Sequence, residues 1–185
     1  MRVGLISDTH LPAMGPMPEE IRRAFAGVDL ILHAGDIYNS ECLDWLETIA
    51  PVTGVEVPPA PVMGDSRVVE KRSVQIEGYS IGMVHDLAIV GVDEMRPGVL
   101  ERHPLPEGRL ASELERVFGA PVHGAVFGHS HWELAEMHEG ILLVNPGSPT
   151  LPRQLRRLGT VGIMEVTPEG LRGEILYLKD FSELA

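Results

Sequence analysis

Apolar, β-branched runs alternate with helix-patterned stretches through the first half of the chain. RVGLIS (2–7) offers no alternating polar face and predicts a strand buried on both sides. PEEIRRAFA (18–26) predicts a helix, with Pro18 at its first position and Glu19 and Glu20 at its positive end. DLILHAG (29–35) predicts a second buried strand, and ECLDWLETIA (41–50) a second helix. PAPVMG (59–64) predicts the end of a third strand, interrupted by proline. This β-α-β-α-β order predicts parallel strands joined by right-handed crossovers.

The second half reads differently. SVQIEG (73–78) and SIGMVH (80–85) predict a hairpin turned at Gly78, GRLASELERVFG (108–119) a helix, and HGAVFG (123–128) another buried strand. ELAEMHEGILLVNPG (133–147) predicts two short strands around Glu139-Gly140, and residues 160–178 a hairpin turned at Pro168-Glu169-Gly170. The expected fold class is α/β: a two-sheet mixed β-sandwich flanked by helices. Residues 1–185 read as a single domain, with 87–108, rich in Gly, Pro and charge, as an irregular loop or cap.

Charge and cysteine narrow the classes. A net charge of −12 argues against an extended nucleic-acid surface, because a phosphate backbone would be repelled. Cys42 is the one cysteine, so no intrachain disulfide forms; its helical context predicts a small buried hydrophobe. No run of about 18 apolar residues is present, so no membrane span is expected, and the start of the chain does not read as a leader. A cytoplasmic protein is expected. Oligomeric state has no signature.

Candidate chemistry gathers at the ends of the strands. Asp8 and His10 follow the first, Asp36 the second, Asp65 the third, His85 the hairpin, and His129 and His131 the GAVFG strand. In open α/β sheets the carboxyl ends of the strands are where ligands sit, so these seven side chains are expected to converge. They are too many for one catalytic zinc, which takes about three protein ligands. They suit two ions about 3.5–4 Å apart, bridged by a carboxylate, for which Asp36 on a central strand is the natural choice. A set of oxygen and nitrogen donors without thiolate points to two divalent ions: manganese first, with iron, zinc, cobalt or nickel as the other candidates.

In order, SDTH, AGD, MGDS, MVHD and FGHSH resemble the signature D-x-H, G-D, G-N-x-D/E, H, G-H-x-H of the calcineurin-like metallophosphoesterases. The likeness is closest to the small bacterial and archaeal phosphodiesterases and to the retromer subunit of the same fold, and it covers residues 2 to about 153, with NPGS (145–148) included. It implies the metallo-dependent phosphatase fold. It also implies one ion on Asp8, His10, Asp36 and His131, another on Asp36, Asp65, His85 and His129, and a metal-bridging hydroxide attacking phosphorus in line. Asn39 and Ser66 are expected to contribute around the metals, and Arg153, at the family's PR position, to bind substrate phosphate.

Two departures shape the functional expectation. Asp65 stands where the family has Asn, and Ser66 stands where it commonly has a catalytic histidine, followed by Arg67. A third carboxylate lowers the positive charge of the centre and favours diesters over monoesters. The expected activity is metal-dependent hydrolysis of a small phosphodiester. The alternatives are a phosphomonoesterase and a non-catalytic protein-binding scaffold of the same fold. Of the other histidines, His123 sits about six residues too early to reach the site, His33 reads as a core residue or one behind the ligands, and His138 as hairpin surface. Arg156 and Arg157 read as solvated surface, and Trp132 as half-buried.

Overall fold

β1 (Arg2–Ile6) lies inside a six-stranded sheet because neither of its faces tolerates water. Val3 and Leu5 point into one apolar layer, and Ile6 joins another. β2 (Leu30–His33) and β3 (Val52–Val55) continue parallel to it, linked by α1 (Glu19–Ala24) and α2 (Ser40–Glu47). β4 (Val68–Val69) closes that edge. The computed structural model describes residues 1–11, 15–92 and 94–182.

β5 (Lys71–Ile76) and β6 (Tyr79–Val84) form the expected hairpin and open a second sheet. Its turn uses Glu77 and Gly78, both at positive φ (49° and 88°), as a tight two-residue hairpin requires. Among its described residues, the segment from 87 to 108 carries one short helix, α3 (Val99–Arg102), and is followed by α4 (Arg109–Phe118). β7 (Gly124–Val126), β8 (Leu134–His138) and β9 (Ile141–Asn145) complete the second sheet, in the order β5-β6-β7-β9-β8. β10 (Thr160–Thr167) and β11 (Gly170–Tyr177) return antiparallel to the first sheet, giving β11-β10-β1-β2-β3-β4.

Three apolar layers follow from the period-2 alternation of these strands. Val3, Leu5, Leu32, Val126, Val144 and Met164 fill the space between the sheets. Ile31, Val161 and Ile163 face α1 and α2 on one outside, and Ala125, Phe127 and Leu143 face α3 and α4 on the other. The result is two mixed sheets with few helices over them, the expected class.

The third strand departs from expectation. β3 ends at Val55, and Pro61–Gly64 is a turn of 3-10 helix rather than strand. Pro58, Pro59 and Pro61 have no N–H to give to a ladder, so the strand cannot continue through them. The side chain delivered at its carboxyl end is Glu56, and Asp65 is carried nine residues further round. No helix among the described residues is long and apolar enough to cross a membrane.

Candidate metal centre

Five of the expected ligands stand on left-handed backbone: Asp8 (φ 54°), His10 (52°), Asp36 (52°), His129 (69°) and His131 (58°). Each such non-glycine position costs on the order of 1–2 kcal/mol. Strain of this kind is kept where a geometry is needed, and here it bends each chain sharply as it leaves its strand. Cross-bonds hold the bends: Asp8 N–H donates to Gly35 O (2.9 Å) and His10 N–H to Asp36 O (3.0 Å). Ser148 Oγ donates to Asp8 O (2.7 Å), and Asn145 Nδ2 to Gly128 O (2.8 Å), so NPGS buttresses two of the ligand loops. The glycines of GD and GH are required by contact. A Cβ on Gly35 would run into the His85 ring, and one on Gly128 would lie 2.6 Å from Asp8 Oδ2.

Asp8, His10, Asp36 and His131 converge, their ligand atoms all within 4.8 Å of one another. His10 Nε2 lies 3.0 Å from His131 Nε2 and 3.4 Å from Asp36 Oδ2, while His131 Nε2 lies 3.3 Å from Asp8 Oδ1. His131 Nδ1 is 2.8 Å from Leu151 O and His85 Nδ1 is 2.7 Å from Ala34 O. A carbonyl only accepts, so both Nδ1 atoms carry the proton and both Nε2 lone pairs are left for a cation.

The electrostatics call for that cation. Asp8 is fully buried, its carboxylate partnered by the His129 N–H (3.1 Å to Oδ1) and the Ser7 hydroxyl but by no cation among the described residues. Burial, reinforced by the nearby Asp36, pushes its acid well above the usual carboxylate range. Burial also pulls His10 and His131 below the ordinary imidazole value. Among the described residues no Lys or Arg pairs with Asp8 or Asp36. A buried carboxylate with no cation, its Oδ1 3.3 Å from the bare His131 Nε2 and accepting the His129 N–H (3.1 Å), fits a divalent ion.

His85 and His129 sit beside this group. His85 Nε2 is 3.7 Å from Asp36 Oδ2, and its ring meets His129 edge-on at 5.4 Å. Asp65 does not join them. Arg67 takes both of its oxygens, Nε to Oδ1 at 2.9 Å and Nη2 to Oδ2 at 2.6 Å, and also holds Asp44 and Glu47 (both 2.7 Å). The Asp65 carboxyl is held well below the usual range by that guanidinium. Asp65, expected as a metal ligand, is thus bonded through Arg67 into a clamp between α2 and the start of β4.

The remaining expected contributors also land elsewhere. Ser66 is exposed, with no side-chain hydrogen bond among the described residues. Asn39 Oδ1 accepts from Glu41 N (2.5 Å) and caps α2. Arg153 bonds Glu133 (2.5 Å) and lies over the Trp132 ring at 4.4 Å, and Trp132 is half-buried as expected.

Three participants escaped the sequence. Glu56, 2 % exposed, accepts from Ile37 N (2.8 Å) and Val57 N (2.9 Å), and its charge raises the Asp8 acid. Tyr38 packs edge-on against His10 at 5.1 Å and is 40 % exposed, at the mouth of the site. Thr9 donates to Asp36 O (3.1 Å) and accepts from His33 Nε2 (3.2 Å). His33 Nδ1 takes the Gly35 N–H (3.2 Å), which fixes the neutral tautomer, and burial pulls its pKa down to about 3. Glu56 was marked by following the last apolar residue of its strand, the rule that found the expected ligands.

Comparison with known proteins gives the family. The profile of the calcineurin-like phosphoesterase superfamily domain matches residues 1–169. A probable metallophosphoesterase of Methanothermobacter thermautotrophicus is 32% identical over 187 residues, covering 95% of this chain and 92% of that one. Vps29 of Entamoeba histolytica superposes with a TM-score of 0.66 at 19% identity (95% and 98% of the two chains). An archaeal phosphodiesterase does so with 0.62 at 17% (95% and 100%). These last two share the fold. The chain belongs to the calcineurin-like phosphoesterases.

Proposed function

We propose that the protein is a metal-dependent phosphoesterase acting on small phosphodiesters. The observation that carries this is the convergence of Asp8, His10, Asp36 and His131 on one point, with His85 and His129 adjoining. When bound, divalent ions there acidify water and offset charge on the phosphoryl oxygens. Manganese is the first candidate, in keeping with the donor set; Vps29 of Entamoeba histolytica forms a zinc complex.

The chain's own residues do the positioning on which phosphoryl transfer depends. Asp36 Oδ2 lies 3.4 Å from His10 Nε2 and 3.7 Å from His85 Nε2, so Asp36 would help to hold metal beside either histidine. Leu151 O and Ala34 O orient His131 and His85. Tyr38 stands at the opening beside the His10 ring. Asp8, Asp36 and Glu56 put three carboxylates around the centre, leaving about +1 with two divalent ions. That weak pull suits a monoanionic diester better than a dianionic monoester. The diester preference rests on the buried charge of Glu56, which acts on Asp8 from behind, rather than on Asp65.

A scaffold without catalysis is the second reading. One observation favours it: Ser66, at the family's usual histidine slot, is exposed and supplies no acid. The deciding experiment is hydrolysis of an aryl phosphodiester beside its monoester by manganese-loaded protein, with Asp36→Asn as control. Metal-dependent turnover of the diester, lost in the variant, supports the enzyme. No turnover with bound metal supports the scaffold.

A further inference from the structure

A cleft of about 260 Å³ lies behind the ligand loop, lined by Glu133, Arg153, Arg157, Thr160, Tyr177 and Lys179. The chain has 15 Lys and Arg against 27 Asp and Glu, so cations without a counter-ion are scarce. Arg153 is neutralised by Glu133 at 2.5 Å. Arg157 has no side-chain partner among the described residues, and Lys179 meets only the Tyr177 ring, at 5.6 Å. Two uncompensated positive charges thus share one concavity in a strongly acidic protein.

The cleft is built rather than incidental. Gly159 N–H donates to Pro149 O (2.9 Å), Leu178 N–H to Gly159 O (2.9 Å) and Arg157 N–H to Thr150 O (3.2 Å), which pins the backbone under both cations. Its wall is wired to the metal centre: Arg153 N–H donates to His131 O (3.1 Å), and His131 Nδ1 to Leu151 O (2.8 Å). Like charges gathered at a concave wall focus potential and attract an anion. Charge-assisted bonds from a guanidinium and an ammonium suit phosphate oxygens.

We propose that this cleft is a phosphate subsite, separate from the metal centre, in which Arg157 and Lys179 bind a phosphate dianion. A charge of +2 matches a dianion and leaves a carboxylate monoanion underbound. The phosphate is either a second phosphate on the substrate or free inorganic phosphate. The inference does not depend on catalysis.

The test titrates the full isotope-labelled protein with inorganic phosphate at low salt, following backbone amide shifts, with acetate as the monoanion control. Saturable shifts at residues 157–160 and 177–179 are expected, weakened about tenfold or more in the Arg157→Ala/Lys179→Ala variant. Both side chains are exposed, so the fold is kept. Shifts of the His131 loop report separately on phosphate at the metals. Absence of saturable shifts at the cleft, or shifts unchanged in the variant, overturns the proposal. Where the shifts appear, kcat/KM for an aryl diester with and without a pendant phosphate tells the two sources apart. A drop in the variant confined to the pendant substrate assigns the subsite to substrate, and equal values assign it to free phosphate.

Discussion

The Nε2 atoms of His10 and His131 face each other at 3.0 Å, although the residues are 121 positions apart in the chain. The His131 lone pair is bare, because its proton is on Nδ1 toward Leu151 O. Burial lowers both imidazoles, so a charged, protonated pair is a poor solution at neutral pH. With Asp8 and Asp36 alongside, a divalent cation is the better one.

Metal is therefore expected to stabilise the fold. An ion that binds only the native state adds about 2.7 kcal/mol at a hundredfold excess over Kd. For a chain of this length that is roughly 5–10 °C in Tm. Thermal melts with chelator and then with manganese measure it. Asp8→Asn should abolish the increment without lowering the metal-free Tm, since it removes a buried charge that has no cation. An undiminished increment in the variant would falsify the role of Asp8.

Asp65→Asn should act on stability and leave metal content and diester preference alone. Its carboxylate is bidentate to Arg67, and losing those bonds should cost about 1–2 kcal/mol, less in high salt. The sign with pH follows from the lowered folded pKa. The stabilisation is complete above the unfolded value near 3.9 and fades as pH falls below it. Urea midpoints of wild type and variant should differ most at pH 7 and draw together toward pH 3. A variant that loses metal would return Asp65 to the site.

The contrast between Asp36 and Asp65 marks what a single sequence carries. Asp8, His10, Asp36, His85, His129 and His131 were legible because each leaves a short apolar run, and strand ends meet on one side of a sheet. Asp65 also follows an apolar run, PVMG, but Pro58, Pro59 and Pro61 had already ended the ladder at Val55. Reading those prolines as a break instead of an interruption would have moved attention to Glu56. Pairings such as Arg67 with Asp44, Glu47 and Asp65 join residues up to 23 apart through geometry no pattern encodes. Left-handed φ at five ligands was equally hidden, since Asp and His tolerate it without demanding it.

Cys42 should be inert in the native protein. It is buried, and desolvation pushes its thiol up to about 12. At pH 8 about one part in ten thousand would be thiolate even with access, against roughly a quarter for an unfolded cysteine. Labelling with a chromogenic disulfide reagent should be very slow in buffer and immediate in denaturant. Fast native labelling would mean that α2 opens readily, carrying the Asn39 cap and the neighbouring Asp36 loop with it.

The two halves of the metal centre should differ in strength. One has four donors in place: Asp8, His10, Asp36 and His131. The other has Asp36, His85 and His129, and both carboxylates that could complete it are engaged. Asp65 is held by Arg67, and each Glu56 oxygen already accepts a backbone N–H. Dialysed protein should keep one metal per chain by elemental analysis, with a second binding about 10–100-fold more weakly in calorimetry. His85→Ala and His129→Ala should erase the weak step and spare the tight one, while His131→Ala should do the reverse. Two equally tight steps would require a fourth donor at the second position. Glu56→Gln, which keeps the shape and removes the charge, would show whether that donor is Glu56 turning from the backbone to the ion.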